Sequence, residues 1–139
     1  MDGVTFFRQV GRRVRCDERR AEALTFAVFQ ELRDRLTPKE VADVAAQLPI
    51  RLKSLWLEQD RPDRRVKRTH ANEFIGAVRM RTALPDDVEA GRAVKAVFAE
   101  LQALLGSPHG TEGEAWDIFS QLPKDLKQLW LRCRETEEV

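Results

Sequence analysis

Four carboxylates stand at a spacing that chemistry could use. Glu40 with Asp43, and again Glu114 with Asp117, are acidic pairs three residues apart, a separation that puts both members on one face of a helix. Acids from neighbouring helices can hold metal ions, but carboxylate-bridged bundles of that kind add a Glu-x-x-His from each of two helices. Here the third residue on is Asp43 or Asp117, and neither segment contains His. Each Glu also follows a Thr by three residues, in Thr37-Pro38-Lys39-Glu40 and Thr111-Glu112-Gly113-Glu114. That is the pattern of a capping box, in which Thr and Glu each satisfy an orphaned backbone N–H at a helix start. The sequence therefore gives these acids a capping role and assigns no metal ligand.

The other reactive side chains are sparse. Cys16 lies among Arg13, Arg15, Arg19 and Arg20, a field that lowers a thiol pKa; a passive cysteine remains the preferred reading. His70 and His109 have no Ser, Cys or acid beside them that would suggest a relay. No phosphate-binding Gly loop, nucleophile elbow or HExxH motif is present. No catalytic residue and no cofactor are assigned, and a non-enzymatic protein is expected. Gln47 and Gln121 precede prolines and are expected to bond loop backbone at a helix corner.

Charge and aromatic residues are more informative. Residues 1–81 hold 18 Lys and Arg against 12 Asp and Glu, whereas residues 82–139 hold 6 against 11. The excess peaks between residues 61 and 81, where Arg61, Arg64, Arg65, Lys67 and Arg68 are possible phosphate contacts. No aromatics are interleaved and no reading helix is recognisable, so weak, non-specific nucleic-acid binding is the alternative rather than the leading function. The opposite charge of the two parts also permits attraction within the chain or head-to-tail between copies. Trp56 and Trp130 fall on Leu stripes as core anchors, while Trp116 stands where the first half has Ala42. That mismatch makes Trp116 the candidate partner contact.

The elements that must position these residues are helices, and they occur twice. Residues 47–57, QLPIRLKSLWL, and 121–131, QLPKDLKQLWL, agree at eight of eleven positions, and Val28-Phe29-Gln30-Glu31-Leu32 answers Val97-Phe98-Ala99-Glu100-Leu101. The offset grows from 69 to 74 residues between these matches, which places an insertion at Gly106–Gly110. Ala21, Leu24, Val28, Leu32 and Leu36 form one helical stripe, and Ala90, Val94, Val97, Leu101 and Leu105 form its counterpart. Pro49 and Pro123 open a last helix in each half. The predicted helices span 3–15, 19–36, 38–47, 49–59, 72–82, 86–105, 112–121 and 123–134. The fold class is all-α: two tandem pseudo-symmetric repeats of about four helices each, 1–59 and 70–139, joined by a basic linker at 60–69 and packed as one globule.

Composition is consistent with that picture. The chain has 139 residues, 42% hydrophobic and 34% charged, with a net charge of +1. That apolar content is too high for a disordered chain. No run is long and apolar enough for a membrane span, so no membrane association is expected. Met1–Thr5 has neither the basic start nor the apolar stretch of a signal peptide, and two unpatterned cysteines suit a reduced cytoplasmic setting.

Leu32-Arg33-Asp34-Arg35-Leu36-Thr37-Pro38-Lys39-Glu40, then Asp43, Gln47-Leu48-Pro49 and Leu55-Trp56, resembles domain-of-unknown-function family 2267. The second copy of the signature is Glu114, Asp117, Gln121-Leu122-Pro123, Leu126 and Leu129-Trp130, so the likeness runs from about Phe6 to Trp130. The resemblance implies a small α-helical bacterial domain and brings no catalytic residues with it. The expected function is a protein-interaction module with a protein partner or a second copy of itself. A carboxylate-based metal or small-ligand site in the bundle is the last alternative.

Overall fold

Local signals in the chain start and stop each helix. Asp2, Asp17, Thr37 and Asp86 stand in extended conformation at N-cap positions, and their side chains accept from Thr5 N, Arg20 N, Glu40 N and Glu89 N. Pro38 follows its cap at the first position of a helix. The computed structural model describes residues 1–61, 63–106 and 113–133. Among these residues it contains eight helices and no strand. They are α1 (Gly3–Val14), α2 (Glu18–Arg33), α3 (Pro38–Gln47), α4 (Ile50–Leu57), α5 (Ala71–Thr82), α6 (Asp87–Leu105), α7 (Glu114–Gln121) and α8 (Lys124–Leu131).

These bounds follow the predicted ones within a few residues. One difference is at α2, which stops at Arg33 instead of 36. Pro38 forces Thr37 out of helical angles, and the released carbonyls find other donors. Arg64 donates to Arg33 O at 2.6 Å and to Leu36 O at 3.2 Å, while Lys67 N donates to Asp34 O at 2.8 Å. The described part of the 60–69 segment is thus strapped across the end of α2. Leu36 stays fully buried although it lies beyond the helix.

The two longest helices, α2 and α6, pack on each other and carry the core. Around them α1 packs on both α2 and α6, α5 does the same from the other side, and α3 meets α7. Matched aromatic chains fill each half. Phe6, Phe29 and Trp56 touch in sequence at ring separations of 6.1 and 5.2 Å. Phe74, Phe98 and Trp130 do so at 5.7 and 4.8 Å. Phe74, Phe98 and Trp130 stand at the offsets that align the two sequence halves. Trp56 and Trp130 are buried as expected of core anchors, and the Trp56 indole N–H donates to Val41 O at 2.9 Å. At corresponding places on α2 and α6, Arg33 and Gln102 donate to the carbonyls of Trp56 and Trp130, at 2.6 and 2.8 Å. These bonds fix the last helix of each half on its long helix.

Among the described residues, two ion pairs cross between the halves. Arg13 meets Glu100 at 2.6 Å, and Arg81 meets Glu31 at 2.7 Å. The charges run in opposite senses, so the basic-to-acidic polarity of the chain does not by itself align them. Glu31 also holds Arg35 at 3.1 Å, both side chains being 2% exposed. Arg35 further donates to Thr69 and lies 4.7 Å from the Phe74 ring centre. Removing one partner of a buried pair leaves a charge without compensation, at a cost of about 3–5 kcal/mol. Arg13 is 40% exposed and can turn to water instead. Glu31→Gln is therefore expected to cost about 3–5 kcal/mol and Glu100→Gln about 1 kcal/mol, measured by urea denaturation of each variant against the parent chain. Equal losses would contradict the assignment of Arg35 as the dependent charge.

A carboxyl contact between α3 and α7

Thr37 begins α3 as the capping pattern predicts, its hydroxyl accepting from Glu40 N at 3.2 Å. The reciprocal half of the box is not made. Thr37 N instead donates to Gln121 Oε1 at 3.1 Å, so a Gln from the end of α7 takes the place that Glu40 was expected to fill. Gln121 does bond backbone, as expected, but it reaches across to the other half of the chain. Its counterpart Gln47 is exposed on α3. The second predicted box requires Thr111, which lies outside the described residues; α7 starts behind Gly113 with no side-chain cap.

Freed from the cap, Glu40 turns toward α7. Its residue is 6% exposed, and it meets Glu114 and Asp117 so closely that one carboxylate oxygen from each lies within 4.8 Å of the others. Glu40 and Glu114 occupy the same position in the two sequence halves. Among the described residues, Glu40 Oε1 and Glu114 Oε1 are sealed from solvent and accept from no amide, hydroxyl or guanidinium donor. Asp43, the fourth acid of the predicted pairs, stays outside the trio and binds Lys39 at 3.2 Å. Lys39 is thereby engaged on the surface, and its own pKa is raised by that bond to Asp43.

Two adjacent carboxyl groups in a dry contact cannot both ionise freely. Burial is the main reason that the Glu40 carboxyl is pushed up to about 8, followed by its hydrogen bond with Glu114 and the negative charges of Glu114, Asp117 and Asp43. Near neutral pH Glu40 thus keeps its proton, beside a Glu114 Oε1 that has no donor among the described residues. The first turns of α3 and α7 both contribute here, and their positive ends soften the repulsion without removing it. The arrangement can store a proton, or exchange that proton for another small cation.

The other sequence candidates are dispersed. Cys16 is partly buried, and burial together with Asp17 raises its pKa against the weaker pull of Arg20. Arg20 does not offset the desolvation. His70 is 68% exposed and lies 3.4 Å from Asp125, while Asp125 also accepts from Ala71 N and so caps α5 from α8. His109 lies outside the described residues. Trp116 is 40% exposed, with its ring 5.1 Å from Phe119. Of the possible phosphate contacts, Arg61, Arg65 and Arg68 are exposed. Arg64 is engaged by Arg33 O, Leu36 O, Asp34 and Asp60, and Lys67 lies 3.6 Å from Asp34. The buried charges Glu31, Glu100 and Arg35 went unassigned from sequence. Glu31 and Glu100 did leave a signal, since each is an acid kept at the same place within an otherwise apolar stripe.

An all-α protein in which a buried glutamate, Glu40, meets a half-buried one, Glu114, is the class that fold and site define. The chain belongs to the DUF2267 family, described as an uncharacterized conserved protein, whose model matches residues 4–129. No curated protein matches the chain. No helix among the described residues is long and apolar enough to cross a membrane.

Because the Glu40 pKa is raised on folding, the folded state binds more protons than the unfolded chain between pH 4.5 and about 8. The stabilising contribution is complete below the unfolded value and is lost as pH rises through the folded one. Thermal melts of metal-free protein are expected to show that decline, and Glu40→Gln should flatten it and raise stability at pH 8 by on the order of 1–2 kcal/mol. A variant with the same decline as the parent would place the titration elsewhere.

Proposed function

We propose that this chain is a non-enzymatic cytosolic module that binds a protein partner through the α7 face centred on Trp116. The observation that carries the reading is the exposure of Trp116, 40%, beside Phe119, when the other two tryptophans are buried. An indole held against a second ring loses little entropy on contact, and such aromatics dominate interface energies when they become covered. Asp117 is exposed beside it and Glu114 is partly so, whereas Lys127 stands over the Phe119 ring at 5.5 Å. The partner surface that suits this face is an apolar patch bordered by Lys or Arg. Self-association of the same kind would be heterologous and would not close on itself in general, which favours a different protein.

A photo-crosslinking residue at position 116, with one at exposed Met80 as control, identifies the partner; binding of the purified pair then tests the contact. Trp116→Ala is expected to weaken binding about thirtyfold, near 2 kcal/mol, while leaving the melting temperature unchanged. Unaltered affinity would refute the role of this face.

A second reading, weak nucleic-acid binding, is favoured by the exposure of Arg61, Arg65 and Arg68. With Arg64 and Lys67 held by protein acceptors, about three phosphates are in reach, and the salt dependence of log K should have a slope near −3. Anisotropy with random duplex DNA across a salt series checks this, and absence of binding at low salt ends it.

A further inference from the structure

The carboxyl contact between α3 and α7 has a feature that capping does not explain. A buried glutamate ordinarily accepts from an arginine, a hydroxyl or backbone N–H groups. Glu40 has lost its natural donor, Thr37 N, to Gln121, and the neighbouring Lys39 is paired with Asp43. The residue is 6% exposed, and its unpartnered Oε1 is sealed within the contact with Glu114 and Asp117. Glu114 Oε1 is in the same condition. Two orphaned oxygens from different helices, with a third acid open to solvent, make a cradle for positive charge with one wet side.

We propose that Glu40, Glu114 and Asp117 bind a hard divalent cation, Ca2+ in preference to Mg2+, and so tie α3 to α7. All three donors are carboxylate oxygens, which suit hard cations and not the softer metals that seek Cys or His. Ca2+ accepts irregular sets of carboxylate oxygens, whereas Mg2+ demands near-ideal octahedral geometry and gives up its water reluctantly. The three oxygens here lie within 4.8 Å of one another, close enough for one ion to touch all three. Water completes the coordination through Asp117, which is exposed. Three protein ligands are few for this ion, which sets the expected Kd in the range of about 0.1–1 mM.

Chelator-stripped full-length protein is titrated calorimetrically with CaCl2 and, separately, MgCl2 at constant ionic strength and pH 8. The expected result is one Ca2+ per chain, weaker Mg2+ binding, and a rise in melting temperature with Ca2+. Glu40→Gln should abolish the response. Asp117→Asn, a surface change that leaves the fold intact, should weaken it about tenfold. No heat and no melting shift up to about 10 mM Ca2+ would overturn the site and leave a shared proton as the sole occupant. Binding that persists unchanged in both variants would overturn it equally.

Discussion

Two carboxyl groups pressed together away from water must share one positive charge, and the contact of α3 with α7 is built around that requirement. Glu40 and Glu114 come from the same place in the two sequence halves and meet each other directly. One oxygen of each, Oε1, is sealed from solvent with no donor among the described residues. The rest of the contact adapts to this. Gln121 takes over the cap that Glu40 leaves, and Lys39 and Asp43 neutralise each other at its edge.

The remainder of the junction between the two halves rests on apolar packing and paired charges. Apolar α2 and α6 supply the core, and paired aromatic chains extend it into each half. Arg13 with Glu100 and Arg81 with Glu31 close the sides. Here each buried acid has a guanidinium, in contrast to Glu40. Against a frame in which the other acids of the core are answered by arginine, the unanswered pair at α3–α7 stands apart as the place where charge balance is left to something outside the chain.

The helices themselves were legible because they depend on local signals. Apolar spacing, Asp and Thr caps and the two Gln-Leu-Pro corners lie within a few residues of the structures they specify. The early end of α2 was not, because it depends on Arg64 reaching back from the 60–69 segment. The site was half legible. The acids at 40, 114 and 117 could be picked out by type and spacing, yet the capping pattern hid Glu40's orientation. A capping box is a pattern of one segment; the competing donor and acceptor, Gln121 and Glu114, come from the other half of the chain. Trp116 was recognisable by its mismatch with Ala42, and its exposure follows from packing that the pattern alone does not contain. At Cys16 the pull of Arg20, near in sequence, weighs less than burial.

For an all-α member of the DUF2267 family, this places the physical interest at α7. That helix carries Trp116, 40% exposed, with its ring 5.1 Å from Phe119, and the carboxyl contact joins it to α3. The central claim is that Glu40 keeps its proton near neutral pH when no metal is bound. Carbon-13 NMR of the side-chain carboxyl groups across a pH titration measures it directly in metal-free protein. The account predicts a Glu40 midpoint near 8. A Glu40 midpoint near the ordinary 4.5 would contradict it.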